Sequence, residues 1–186
     1  MTATKNTAEN LCLSCGLCCN GVLFKDVELQ VGDDRKRLIS IGLLLKDPSQ
    51  RGSEGRKRQK AKFPQPCLAL CTGNLCRAYE ERPRRCREFE CALLKKVLQE
   101  ESELAAALRT VRIAQRRAEK VRQLLRELGD TDESLALSLR FRRTKRRIES
   151  GSASDTQVEI YADLTLAVHE LNVVLSREFY PGTKSS

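Results

Sequence analysis

A chain of 186 residues suits one domain, or a small domain with an appendage. With 4% aromatics, no Trp and 32% charged residues, its core is expected to be aliphatic and modest, helped by something besides apolar burial. No run approaches the roughly 18 apolar residues of a membrane span, and the polar start MTATKNTAENL has no apolar secretory h-region, so a cytoplasmic location is expected.

Residues 22–29, VLFKDVEL, begin apolar and then partly alternate, which predicts a strand. Asp33 and Asp34 are placed to open a short helix through Leu38, Ile39 and Leu43. From Lys46 to Gln65 there are Pro, Gly, Ser and many cations without periodicity, the composition of a loop. Beyond Leu104, apolar residues recur at Leu108, Val111, Ala114, Ala118, Val121, Leu125 and Leu128, spaced mostly by three and four and closed by Gly129 as a C-cap. Asp132 to Ile148 is helix-compatible but very basic, and Ser150 to Ser154 reads as a flexible link. From Asp155 to Phe179 the helical pattern returns with Val158, Tyr161, Leu164, Val168, Leu171 and Leu175, stopped by Pro181 and Gly182. The fold class is therefore mainly α. A small irregular cysteine-rich head over residues 11–95, with a short strand, precedes a helical hairpin or three-helix tail over 96–180 packed on it.

All nine cysteines lie between Cys12 and Cys91. A chain kept under reducing conditions more often uses clustered cysteines as metal ligands than as disulfides, and an odd count points the same way. The first cluster is Cys12, Cys15, Cys18 and Cys19, a C-x2-C-x2-C-C run. The second holds Cys67, Cys71, Cys76, Cys86 and Cys91. Two-residue spacing lets a tight turn aim successive sulfurs at one centre, and Gly16 and Gly21 relieve the crowding. Neighbouring side chains diverge, so Cys18 and Cys19 fit one tetrahedral ion only with strain. They serve two centres more easily, or one is a ligand while the other is buried or catalytic. The first cluster is thus expected to draw ligands from the second, coupling metal binding to folding.

LCLSCGLCCNGVLF, followed by PCLAL and LCRAYEERPRRCREFEC, resembles the YkgJ-type cysteine-cluster family of zinc- or iron-chelating domains over about residues 11–95. Its signature falls here on Tyr79, Arg82, Pro83, Cys86, Arg87, Phe89 and Cys91. The resemblance implies metal ligation by Cys12, Cys15, Cys18, Cys19, Cys67, Cys76, Cys86 and Cys91, with Cys71 as the departure from the pattern. It implies little about reaction type. The cluster is more distantly similar to that of flagellin lysine N-methylases, which suggests methyl-transfer chemistry for some members.

Arg82 and Arg87 are expected near the centre as cofactor-binding cations, where they lower thiol pKa values or donate to sulfur. Arg84 and Arg85 suit a solvated basic turn equally well. His169, the sole histidine, is placed on a helix surface rather than on a metal. The expected cofactor is an iron–sulfur cluster or Zn2+, with iron–sulfur favoured by the C-x2-C-x2-C run. The alternatives are a metal-dependent, methyltransferase-like enzyme, or a basic module with a structural zinc that binds nucleic acid or a protein partner through its tail. No Gly-rich nucleotide loop, His-based acid–base pair or carboxylate dyad supports the enzyme, so whether there is catalysis stays open. Net charge +9 permits nucleic-acid contact without demanding it, and the basic runs have few aromatic neighbours, so that reading ranks low.

Overall fold

The computed structural model describes residues 10–47 and 60–180, which are mainly α-helical with one two-stranded sheet. A helix over residues 10–15, α1, carries Cys12 and Cys15 and gives way to a turn at Gly16, whose φ is +64°. Strand β1, Asp26–Glu28, pairs antiparallel with β2, Lys62–Pro64, and sets Val27 opposite Phe63. The strand expected over 22–29 is therefore shorter. Val22 and Leu23 join the helical core instead, where their burial needs no sheet partner. Strand β2 falls in the stretch read as loop; residues 48–59 of that stretch lie outside the described residues.

Helix α2, Arg35–Ser40, is capped by Asp34, whose carboxylate accepts from Arg37 N at 2.9 Å. Asp33 does different work: its two oxygens accept from Gln30 N and Arg84 N, both at 2.7 Å. The helix stops at Ser40, so Leu43 reaches the core from the following loop, while Ile39 stays exposed. Two short helices follow, α3 at Arg84–Glu88 and α4 at Ala92–Leu98.

Helix α5, Leu104–Glu127, buries Ala107, Val111, Ala114, Ala118, Val121, Leu124 and Leu125 along one face. It ends in a Schellman pair of bonds, Gly129 N to Arg126 O and Asp130 N to Leu125 O, with Gly129 at φ +81°. Helix α6, Leu137–Arg147, leads through a π-type turn at Ile148–Ser152 into α7, Asp155–Glu178. Ser154 and Gln157 form a capping box at the start of α7. Helix α7 returns antiparallel along α5: Arg117 Nη1 donates to Glu170 O at 2.6 Å, and Ala92 N donates to Phe179 O at 3.0 Å beside α4. Leu164, Ala167, Leu171 and Leu175 face inward, whereas Val158, expected on the same stripe, is 51% exposed. At about 100° per residue it lies about 120° round the helix from Leu164, off the buried face.

Much of the basic run in α6 is structural. Arg140 is 1% exposed and its Nε donates to Asp130 at 2.9 Å. Arg143 reaches Asp130 and Asp132, and Arg147 Nη2 donates to Leu128 O at the end of α5.

Two apolar cores result. The larger joins Leu11, Leu17, Val22 and Leu23 to the inward faces of α4, α5, α6 and α7. The smaller holds Val27, Leu29, Leu38, Leu43, Ala61, Phe63, Ala69 and Ala78. The head is thus divided: its first cysteine run is built into the helical core, and the rest surrounds a core of its own.

Candidate metal centre

Backbone bonds bring the two cysteine clusters together. Within the first, Gly16 N donates to Cys12 O, and Cys19 N and Asn20 N both donate to Gly16 O. This tight turn requires glycine twice over. Besides its positive φ, a Cβ at Gly16 would lie 2.2 Å from Asn74 Oδ1. Asn74 comes from the second cluster and closes over the first. Cys67 N donates to Cys19 O at 2.8 Å, a direct stitch between them. Gln115 of α5 holds the run from the other side, donating to Ser14 O and Cys15 O. Leu137 N of α6 donates to Gly21 O.

All nine cysteines are free thiols. Burial pushes the thiols of Cys15, Cys19 and Cys86 up to about 12, raises Cys18 well above its ordinary value, and also raises Cys12, Cys67 and Cys91. Mutual repulsion comes second in most of them and sorts eight cysteines into two sets. Cys12, Cys15 and Cys18 each feel Cys91, and Cys15 and Cys18 both feel Cys12. Cys19 feels Cys67 and Cys76 above all, and Cys86 feels Cys19, Cys67 and Cys76. Packing divides them in the same way. Cys15, Cys18 and Cys91 sit on the larger core, while Cys67, Cys76 and Cys86 sit on the smaller. The boundary runs between the adjacent residues Cys18 and Cys19, although Cys19 still adds to the repulsion at Cys15 and Cys18, and Cys12 to that at Cys19. Cys71 stands apart: it is exposed, and its Sγ lies 3.8 Å from Ala69 O.

The cations are placed unequally. Arg82 opposes the upward shift of Cys12, Cys19 and Cys86, so one guanidinium acts on both sets. It lies 3.7 Å over the Tyr79 ring and donates from Nε to Tyr79 O at 2.9 Å. Arg87 is exposed and lines the shared cavity of about 710 Å³ together with Arg82 and Arg85. Arg84 points to Glu88 at 2.7 Å. Phe89 packs edge-on against Phe24, with centroids 5.0 Å apart. His169 is exposed on α7. Cys91 doubles as the N-cap of α4, its sulfur accepting from Leu94 N at 3.4 Å; those helix-terminal N–H groups favour the thiolate.

Sequence reasoning missed several supports. Arg77 donates to Ile41 O and Leu68 O and pulls the Cys67 thiol down against its burial. Gln65 is 2% exposed in the cavity wall, and its Oε1 has no partner among the described residues. A lone Gln or Arg outside any spacing pattern carries no signal of such a place. Asn74 did carry one, since Gly73-Asn74 is turn composition.

The donor set is what decides the kinship: eight free thiols from a C-x2-C-x2-C-C run and its downstream partners, gathered around one cavity. A family model described as "CxxCxxCC: putative zinc- or iron-chelating domain" matches residues 11–110, more than half of the chain. The chain belongs to the CxxCxxCC family. No curated protein and no solved structure matches it. The CxxCxxCC domain thus extends past Cys91 through α4 into the first turns of α5, the elements that hold the first cysteine run in place. Its donors fit a soft, thiophilic metal, and metal binding follows from the family. Among the described residues no three His, Cys, Asp or Glu side chains stand in an arrangement that would hold an ion. No helix among them is long and apolar enough to cross a membrane.

Proposed function

We propose that the protein carries two iron–sulfur centres, one held by Cys12, Cys15, Cys18 and Cys91 and the other by Cys19, Cys67, Cys76 and Cys86. The observation that supports this reading is that Cys15, Cys18 and Cys91 pack on the larger core and Cys67, Cys76 and Cys86 on the smaller, with Cys12 and Cys19 assigned by the neighbours that act on their thiols most. Four cysteines per centre is the ligand count of both common cluster types. In ferredoxin runs the fourth cysteine serves the other cluster, and Cys19 has that relation to Cys12, Cys15 and Cys18.

Iron–sulfur is favoured over zinc by space. A tetrahedral Zn–S4 site at 2.3 Å per bond holds its sulfurs about 3.8 Å apart. A cluster holds them farther apart around an inorganic body. The cavity of about 710 Å³ that all eight cysteines line has room for such a body, and the C-x2-C-x2-C run supports the same reading. Such a centre supplies one-electron chemistry when bound. The protein's part is to seat it in an apolar wall, to offset its negative charge with Arg82, and to set Arg87 at the rim of the same cavity. Leu94 N stabilises the Cys91 thiolate.

Anaerobic purification with iron, zinc and acid-labile sulfide quantitation tests the proposal. Brown protein with iron and sulfide in comparable amounts is the expected result. Colourless protein with about two zinc ions and no sulfide would replace both clusters by Zn–S4 sites.

A further inference from the structure

Helix α7 presents a second apolar stripe that the fold leaves bare. Val158, Leu166 and Val173 are 51%, 58% and 49% exposed. Ala162 and His169, both exposed, fall between them. At about 100° per residue these five positions occupy an arc of roughly 80°, centred nearly opposite Leu164, Leu171 and Leu175, which face α5. The stripe runs for about 22 Å along the helix. Helix α5 has no such second stripe: Arg109, Arg112, Arg116 and Lys120 lie on its exposed side. A helix apolar on both sides is normally covered on both sides.

The charges bordering the stripe indicate what covers it. Glu159, Asp163 and Glu170 line one of its edges, are exposed, and make no ion pair among the described residues. Elsewhere in the tail Glu119, Asp130, Asp132, Glu133, Glu149 and Glu178 are paired, while Glu100, Glu101, Glu103, Glu127 and Asp155 also make no ion pair among the described residues, the first four outside α7 and beside no bare apolar stripe, Asp155 at its start. In a chain with 34 cations against 25 acids, three neighbouring unpaired carboxylates beside an apolar stripe form a local reversal of sign. The other edge, Thr165, Asn172 and Ser176, is neutral. A second copy would set acidic edge against acidic edge with the helices antiparallel and against the neutral edge with them parallel, and neither arrangement brings a cation to Glu159, Asp163 and Glu170.

We propose that this face of α7 docks an amphipathic helix of a partner protein, whose apolar stripe covers Val158, Leu166 and Val173 and whose Lys or Arg flank meets Glu159, Asp163 and Glu170. The mode is helix-on-helix packing with charge selection of the partner. It is independent of the metal centres.

Three synthetic 18-residue helices test it against the full chain by fluorescence anisotropy: a Leu stripe flanked by Lys, the same stripe flanked by Glu, and the Lys peptide with its order scrambled. The Lys-flanked helix is expected to bind at least about tenfold more tightly than either other peptide, and more weakly as salt rises. Leu166→Lys with Val173→Lys should abolish binding while thermal unfolding is unchanged, because both side chains are solvated. Glu159→Lys, Asp163→Lys and Glu170→Lys together should reverse the preference towards the Glu-flanked peptide. Equal binding of all three peptides, or a preference that survives the charge reversal, would overturn the proposal. Sedimentation showing a dimer that Leu166→Lys dissociates would overturn it in favour of a second copy.

Discussion

Arg140 donates from Nε to Asp130 Oδ1 at 2.9 Å and from Nη2 to Asp130 O at 2.7 Å, and both side chains are almost sealed from solvent. The pair locks the loop after α5 to α6 and so sets the approach of Leu137 to Gly21 behind the first cysteine run. Asp130→Ala would leave Arg140 buried and unpaired, an uncompensated charge costing about 3–5 kcal/mol. Denaturant unfolding should show a loss of that size. Asp130→Ala combined with Arg140→Met should recover most of it.

Gly16→Ala is expected to destabilise the head in two separable ways. The left-handed backbone costs roughly 1–2 kcal/mol for any side chain. Overlap with Asn74 Oδ1 adds to it. Asn74 is itself at φ 61°, so Asn74→Gly removes the obstacle without backbone penalty. The double variant should regain the steric part alone, and a double-mutant cycle on thermal stability measures it.

Cys18→Ser and Cys19→Ser, though neighbours, should deplete different centres. Each is expected to remove the spectrum of its own centre and lower metal content by at least about half, with the remaining centre weakened but spectrally distinct between the two variants. Cys71→Ser should leave metal content unchanged. Equal metal loss in all three variants would contradict the division into quartets.

Removing metal should affect the two cores differently. The larger core has an extensive aliphatic interface between α5 and α7, whereas the smaller has eight buried residues, including Phe63 and Leu38, around Cys67, Cys76 and Cys86. Chelation is therefore expected to expose residues 60–90 to protease while helical circular dichroism is largely retained. Loss of both together would mean that the two cores form one cooperative unit.

Raised thiol pKa values fix the sign of the pH response. In metal-free protein the folded state keeps Cys15, Cys19 and Cys86 protonated up to about 12, while an unfolded thiol ionises near 9. The stability from these groups is present below pH 9 and lost as pH rises from there through 12, because the unfolded state then binds fewer protons. Metal-free protein should thus unfold in alkali. Below that range a metal must displace the thiol protons, so its affinity should climb with pH. A pH-independent apparent affinity between pH 6 and 8 would contradict this.

The parts of the architecture visible in the sequence were those governed by periodicity or by spacing. Helix α5 follows its apolar repeat from Leu104, and the cysteine runs announce a thiolate site whatever the fold around them. Strand β2 was hidden because its pairing with β1 is set across residues 29–61, beyond any local signal. Val158 was misplaced because the two successive three-residue steps that link it to Leu164 drift about 120° around the helix, off the buried face. The divergence of Cys18 and Cys19 towards different neighbours was legible as steric conflict. Which downstream cysteine joins which set was not, since that depends on the two cores.

One peptide bond separates Cys18 from Cys19, and in the proposed assignment that bond is the shortest covalent path between the two quartets. Fixing the backbone angles of either residue restricts those of the other. Once one quartet is filled, the first thiol of the next is already oriented, and the ordering entropy of that turn has been met. Assembly should therefore proceed with positive cooperativity, so that chains bearing a single centre stay scarce during reconstitution. A redox or oxidative event that dismantles one centre would loosen its neighbour through the same linkage.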